Sequence, residues 1–517
     1  MANKSLFMSA VRAVLPRADT ANRAHAPAYA YTPKEALAQL AVTGTLSDTF
    51  YTASEAQLAE VVAAARAVDP AFIARTAIWA RERGYMKDMP ALLCALLSTL
   101  EAPLLPRTFG RVIDNGRMLR NFVQIMRSDV VGRKSLGTRP KRLVQGWIER
   151  ASAMELLRAS VGSAPSLADV IRMVHPRPAN PARAALYAYL IGKPYDISIL
   201  PAEIQAYEAF KRDPSGDPPD VPFLLLTSLP LDAAQWAAIA QRCSWQSLRM
   251  NLATFARHGV FALPGMAERI AARLADAQAV RRSRVFPYQL MVAYSMAGAG
   301  VPGVVREALQ DALEEAIANV PVVAGAVVVC PDVSGSMRSP ATGYRKGASS
   351  VVRCVDVAAL VSACLLRANP HARVLPFEGR VVDVALNPRD SVLTNAAALA
   401  AVAGGSTNCA APLAKLNAER AAADLVVIVS DNQSWVDAAR PGATAVMQEW
   451  TKFKARNPGA KLVCIDITPY GTTQVKAGED ILNIGGFSDA VFDVLASFAN
   501  GSLGPSQWVG EIERIEL

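Results

Sequence analysis

The sequence predicts two architectures in series: an all-α array of helices over residues 1–320, then a doubly wound α/β domain over residues 321–517. Three observations carry this. Up to about residue 320, apolar residues recur at helical spacing in stretches of roughly 12–18 residues, punctuated by Pro or Gly, and no clear strand is visible. From residue 321 onward, short β-branched runs alternate with helical segments, the pattern of a parallel sheet covered on both faces. At the junction, residues 322–337 (V-V-A-G-A-V-V-V-C-P-D-V-S-G-S-M) run from small and β-branched apolar residues straight into Asp332, Ser334 and Ser336. A buried strand that delivers polar groups to its C-terminal end reads this way. A chain of 517 residues is also too long for one ordinary core.

Composition narrows the class. Hydrophobic residues make up 52% and charged residues 19%, which are globular values. The mean hydropathy of +0.19 comes with no apolar run of transmembrane length, so alanine in amphipathic helices accounts for it. Arg12 and Arg17 interrupt the apolar residues near the N-terminus, which argues against a secretory signal. The seven cysteines are scattered and include no C-x-x-C pair. That predicts a reducing, cytoplasmic setting and neither a disulfide framework nor a zinc site. The net charge of +9 is unevenly placed: residues 105–185 hold 15 basic and 5 acidic residues, whereas residues 321–517 are nearly neutral. A basic excess confined to one helical neighbourhood points to a polyanion, nucleic acid ahead of a membrane surface. A solvated basic face is the alternative.

In chain order, residues 1–30 read as an extended arm. Helices are expected to open at residue 32, at Ser54, at Asp69-Pro70 (stopping at Gly84) and at Asp88, each a capping residue or a proline at a first turn. The basic neighbourhood begins with Arg107, Arg111, Arg117, Arg120 and Arg127. It is densest in G-R-K-S-L-G-T-R-P-K-R at 132–142. Gly132, Gly137 and Pro140 break a helix there. They place Arg133, Lys134, Arg139, Lys141 and Arg142 on a loop and at the start of the next helix, where guanidinium groups and free backbone amides suit phosphate. Ser166 caps a following helix that ends at His175, before Pro176. By position alone, His175 reads as a structural helix-end histidine. A turn-rich loop at 213–222, a smaller basic cluster R-R-S-R at 281–284 and a last helix at 302–318 complete the array.

In the second half, strands are expected at 322–330, 372–377, 425–430, 461–467 and 481–484, with an edge strand at 380–386. Helices are expected at 351–369, 390–403, 411–422, 435–454 and 489–499. Oxygen donors collect at the strand ends: Asp332, Ser334 and Ser336 after the first strand, Thr407 in the glycine-rich turn 404–408, and Asp431 after the strand 425–430. Each piece alone is an ordinary turn or cap. Together, two carboxylates and three hydroxyls form a hard-oxygen set suited to a divalent cation, Mg²⁺ first and Mn²⁺ or Ca²⁺ next. Neutral ligands leave the ion with residual positive charge that an acidic group from a partner can meet. The sequence has no Walker A pattern, no D-x-D phosphatase pair and no G-x-S-x-G elbow, and His371 falls at the opposite sheet edge. A binding protein is therefore expected rather than an enzyme.

The set D-V-S-G-S-M (332–337), G-G-S-T-N (404–408) and V-S-D-N (429–432) resembles the metal-ion-dependent adhesion site (MIDAS) of von Willebrand factor type A domains. The resemblance implies Asp332, Ser334, Ser336, Thr407 and Asp431 as ligands, directly or through water. A serine inserted in the turn leaves Ser406 as the alternative to Thr407, which is preferred. A type A domain after a long helical region resembles the TROVE-module proteins, the Ro autoantigen family and its bacterial relatives. The stretches at 41–51 (A-V-T-G-T-L-S-D-T-F-Y), 79–90 (W-A-R-E-R-G-Y-M-K-D-M-P), 166–178 (S-L-A-D-V-I-R-M-V-H-P-R-P) and 189–194 (Y-L-I-G-K-P) carry that likeness. It implies a ring of HEAT-like helical repeats closed by the type A domain. Such a ring holds single-stranded 3′ ends of misfolded non-coding RNA in its hole and Y RNA on a basic outer face, within a ribonucleoprotein for RNA quality control. It reverses the positional reading of His175, which it implies is an RNA contact, and adds Arg158 and Arg177. Gly162 stands where another basic residue is expected. A nuclease or RNA-repair protein is the implied further partner, with no membrane and a monomeric state. The competing expectation is a metal-dependent adhesion or scaffold protein that binds no RNA.

Overall fold

The computed structural model describes residues 15–517 apart from 44–45, 50, 284, 286, 318–319, 321, 345–351, 436–441, 469, 487–489 and 502–506. The chain divides into two compact units. One gathers the described residues through Phe72 with Ala316–Glu516, and the other comprises Ile73–Val285 with Gln289–Glu315. The segment up to Phe72 therefore groups with the α/β domain and not with the helices that follow it.

Strands are described at β1 (Thr20–Ala21), β2 (Pro27–Ala30), β3 (Val327–Pro331), β4 (Arg373–Val374), β5 (Leu425–Ser430), β6 (Lys461–Asp466), β7 (Thr472–Thr473) and β8 (Ile481–Gly485). Five of them form a parallel sheet in the order β4-β3-β5-β6-β8. All six residues of β5 and all five of β3 are buried. Their unbroken Val/Ile runs are what a sheet covered on both faces requires. Side chains of Val328, Cys330, Phe377, Ile428, Leu462, Trp450 and Phe453 share one core cluster. The helix Cys354–Ala368 is buried along nearly its whole length, packed on β3 and on the helix Val392–Ala401.

The structure corrects three expectations here. The N-terminal arm carries short strands: β1 pairs antiparallel with β2, and β2 with β7, Tyr29 opposite Thr473. Strands of two to four residues give too little alternation to read in sequence. Residues 380–386 form no edge strand, only an isolated bridge of Val381 to Phe377. Pro376 has no N–H to extend the ladder, and the chain reverses there, with the Val382 N–H donating to the Pro376 carbonyl. The helix expected over 435–454 begins at Ala445, where the Thr444 hydroxyl accepts from the Met447 N–H. Residues 436–441 of that expectation lie outside the described residues.

The second unit is a succession of helices, each packed on near neighbours in the chain: Asp88–Leu100 on Gly116–Arg127, Thr138–Arg150 on Leu167–Val174, and the latter on Pro181–Ile191. Its helix starts follow local chemistry. Asp69 accepts from the Phe72 N–H, and Ser166 with Asp169 forms a reciprocal capping box. Among the described residues no helix is long and apolar enough to cross a membrane. One close approach depends on a missing side chain: a Cβ on Gly116 would overlap the Cβ of Ala159 on the helix Ala153–Ala159. Gly116→Ala should cost about 1–3 kcal/mol through overpacking, read as a lower urea midpoint. An unchanged midpoint would show that these helices separate freely.

Candidate functional site

The strand order creates a switch point. From β3 the chain crosses to β4 on one side and then returns to β5 on the other, so a crevice opens between β3 and β5 at their C-terminal ends. Pro331 pairs with Val429, and the Asp332 N–H donates to the Val429 carbonyl at 2.8 Å. Asp332 and Asp431 thus emerge side by side from adjacent strands. Asp332, Ser334, Ser336, Thr407 and Asp431 are all buried. One carboxylate oxygen of Asp332 accepts from the Ser334 N–H at 2.8 Å, and the other from the Ser430 hydroxyl at 2.6 Å. The Ser334 and Ser336 hydroxyls lie 3.4 Å apart, and Ser336 lies near enough to Asp431 to oppose the rise of its carboxyl. The turn 404–408 is stitched to the same place, with the Gly335 N–H donating to Gly405 and the Gly404 N–H to Val333. In that turn Thr407 is buried and Ser406 exposed.

Burial, followed by the charge of Asp332, pushes the Asp431 carboxyl up to about 7. Burial likewise raises Asp332 against the hydrogen bonds from Ser334 and Ser430. Two buried acids at this separation cannot both ionise cheaply unless a cation lies between them. The donor set of two carboxylates and several hydroxyls fits a hard divalent ion. Among the described residues no group of three or more His, Cys, Asp or Glu side chains converges.

Sequence reasoning missed a third acid, Asp466, which ends β6 and pairs in register with Ser430. It is buried, and neither carboxylate oxygen accepts a hydrogen bond of ordinary geometry, although Gln39, Asn432 and the Thr468 backbone lie near. Its signal was an acid closing the apolar run K-L-V-C-I-D, hidden because the run was read as ending at Ile467. Burial, then the charge of Asp431, holds its carboxyl well above the usual range. A raised folded value means that protonation favours the fold. Stability is therefore lost as pH rises from roughly 4, the unfolded carboxylate value, through the folded one. Asp466→Asn cannot ionise and escapes that loss. Its melting temperature relative to the parent should be higher at pH 8 than at pH 5, and an equal difference at both would refute this account.

The basic residues gather in the helical unit. Gly132 and Gly137 hold positive φ (75° and 69°), the turns that throw the loop outward. No side chain caps the helix Thr138–Arg150, so its first amides stay open. An open cavity of about 590 Å³ is lined by Arg127, Lys134, Lys141, Arg142, Gln145 and Met173, among others. A second shares Thr138 and Arg142 with it and adds Arg133 and Arg139. A third shares Arg127 and Met173 and adds Arg172. The three form one basic trough. Among the described residues the charged ends of Arg139, Lys141 and Arg142 make no ion pair, whereas Lys134 pairs with Asp129 at 3.2 Å. Arg133 is partly structural, donating to the Ser98 carbonyl at 3.0 Å.

His175 closes the helix Leu167–Val174 in a left-handed conformation (φ 53°) and is exposed. The Gln145 amide donates to the carbonyls of Val174 and His175, which ties the histidine's backbone to the trough wall. Arg177 is exposed, with its N–H donating to Glu149. Arg158 is exposed on the helix Ala153–Ala159 and lines none of these three cavities. At Gly162, where a basic residue was expected, the Arg120 guanidinium fills the space and donates to the Val161 carbonyl at 2.9 Å. In the smaller cluster Arg281 pairs with Glu315, and Arg284 lies outside the described residues.

A helical array joined to a doubly wound domain, with Asp, Ser and Thr groups at its switch point, is the arrangement of a helical protein bearing a domain similar to the von Willebrand factor type A domain. Residues 326–499 match the model of the Ro60 vWA domain. The chain is 24% identical to the RNA-binding protein RO60 of Deinococcus radiodurans, over 93% of this chain and 95% of that protein. It is 23% identical to the RNA-binding protein RO60 of Caenorhabditis elegans over 46% of this chain and 37% of that protein. The crystal structure of the D. radiodurans RO (RSR) protein shares the fold, with a TM-score of 0.61 at 21% identity, covering 91% of this chain and 100% of that one. The likeness to Ro proteins read from the sequence thus extends over nearly the whole chain.

Proposed function

We propose that this chain is the RNA-binding protein of a small non-coding ribonucleoprotein, and that its type A domain is a Mg²⁺-dependent docking site rather than a catalytic one. The observation that carries the RNA reading is the trough: Arg139, Lys141 and Arg142, unpaired among the described residues, stand at an uncapped helix start. Such a surface takes phosphate through charge and backbone amides together. The relatives named as RNA-binding proteins support the same reading. In its finer form, a Y-like RNA lies in the trough with His175 and Arg177 at its edge. Single-stranded ends of misfolded RNA are a second ligand class, and the setting is cytoplasmic RNA quality control. A nuclease or RNA-repair protein meets the metal site through an acidic group.

Asp332, Ser334, Ser336, Thr407 and Asp431 would hold the ion, which would supply an open coordination position for that acid. Replacing Arg139, Lys141 and Arg142 together with alanine should weaken binding of a structured RNA in a gel shift. It should also flatten the logarithmic salt dependence by about 2–3. Unchanged affinity and slope would remove RNA from the trough. In the same assay Asp332→Ala should leave RNA affinity intact, because the metal ligands belong to the other compact unit. The rival reading, a metal-dependent scaffold without RNA, gains if the purified protein carries no nuclease-sensitive absorbance and the triple variant behaves as the parent.

A further inference from the structure

Residues 192–199 (G-K-P-Y-D-I-S-I) form an exposed loop after the helix Pro181–Ile191, and its apolar side chains face solvent: Tyr195, Ile197 and Ile199 are 39%, 38% and 40% exposed. Local hydrogen bonds fix the loop. Gly192 ends the helix at φ 72°, and the Lys193 N–H donates to the Ala188 carbonyl at 2.9 Å. The Asp196 carboxylate accepts from the Ser198 N–H at 2.9 Å and from its hydroxyl at 2.7 Å. The Gln205 amide donates to the Ser198 and Leu200 carbonyls, at 3.1 and 2.7 Å. The Tyr195 ring meets that of Tyr189 at 89°, centroids 5.3 Å apart, and the Tyr189 hydroxyl donates to Glu208 at 2.7 Å. An edge-to-face pair leaves at least one face of Tyr195 uncovered by Tyr189. Arg172 joins this loop to the basic trough. It lines the third cavity, and its guanidinium donates at 2.6 Å to the carbonyl of Ile191, the last residue before the loop.

Among the described residues that line the three cavities, none is aromatic. The trough grips phosphate but offers no ring on which a base can stack. We propose that Tyr195 supplies that ring, taking the face of an unpaired base in the RNA whose backbone lies in the trough, with Lys193 on the adjoining phosphate. The proposal rests on the RNA reading given above and adds a feature of the ligand: a nucleotide outside the base-paired part, within reach of the trough. A ring already held by Tyr189 loses little freedom when a base covers it, and the exposed cation of Lys193 matches the charge that accompanies every base. Three apolar side chains are far fewer than the roughly 20–30 residues a side of a stable protein–protein interface, so one base suits the patch better than a protein or a second copy of this chain.

Gel shifts of the full chain with two RNA hairpins test this: one fully paired in its stem, the other identical except for one looped-out 2-aminopurine nucleotide. The parent should bind both and quench the 2-aminopurine. Tyr195→Leu keeps an apolar side chain and removes the ring. It should weaken binding of the looped-out hairpin at least about fivefold, abolish the quenching and leave the fully paired hairpin unchanged, whereas Tyr195→Phe should behave as the parent. The proposal is overturned if Tyr195→Leu binds and quenches as the parent does, if it loses both hairpins equally, or if Tyr195→Phe behaves as Tyr195→Leu. It is overturned in favour of a second copy of the chain if the parent self-associates in sedimentation and Tyr195→Leu does not. If the parent binds neither hairpin, or the triple variant of Arg139, Lys141 and Arg142 binds both as the parent does, the RNA reading of the trough fails, and this proposal with it.

Discussion

The pairing of β3 with β5 is the interaction on which the rest of the α/β unit depends. Its register sets Pro331 against Val429, and the residues just beyond are Asp332 on one strand and Ser430 and Asp431 on the other. A slip of one residue would turn every side chain of a strand to the other face, sending core valines into the crevice and a carboxylate into the core. The register is held because both strands are buried on both faces, with Val and Ile packed along their length. Apolar packing thus forces two acids together, and the like-charge cost of that closeness is what the crevice must offset with hydroxyls, a proton or a cation.

The helical unit solves a different electrostatic problem. Several of its arginines are spent on structure: Arg81 on Asp114, Arg111 on Glu82, Arg133 on a carbonyl and Arg120 over Gly162. Exposed pairs of this kind contribute little stability each. They do, however, settle which cations are committed. Arg139, Lys141 and Arg142 remain unpaired among the described residues, in the first turns of the helix Thr138–Arg150 just after the glycine-bounded loop, where the backbone itself supplies further donors. Charge count alone marks the neighbourhood; the geometry separates the positioned arginines from the available ones.

Much of this was legible in the sequence because the signals are local. Asp69 and Ser166 announce helix starts through capping chemistry that needs only three or four residues. The run V-V-V-C-P followed by D-V-S-G-S announces a strand and its payload. The features that stayed hidden depend on distant partners. Asp466 reads as one more acid until its burial beside Asp431 is seen. The replacement of a basic side chain at Gly162 by Arg120 joins two helices and leaves no mark at position 162. β1, β2 and β7 are too short for any periodicity to show.

The grouping of the N-terminal arm with the last strands has a consequence for how the chain is made. Asn22 donates to the Ser434 carbonyl across a separation of 412 residues, and β2 finds β7 later still. On a ribosome, the arm leaves the exit tunnel on the order of tens of seconds before its partner strands exist. Closing so long a loop adds only a modest entropic cost, because that cost grows with the logarithm of its length. The waiting time is the real exposure: Tyr29, buried in the finished fold in one core cluster with residues of β3, β5 and β6, lacks those neighbours meanwhile. Nascent chains halted before residue 472 should therefore present this arm to chaperones and proteases, whereas completed chains hide it.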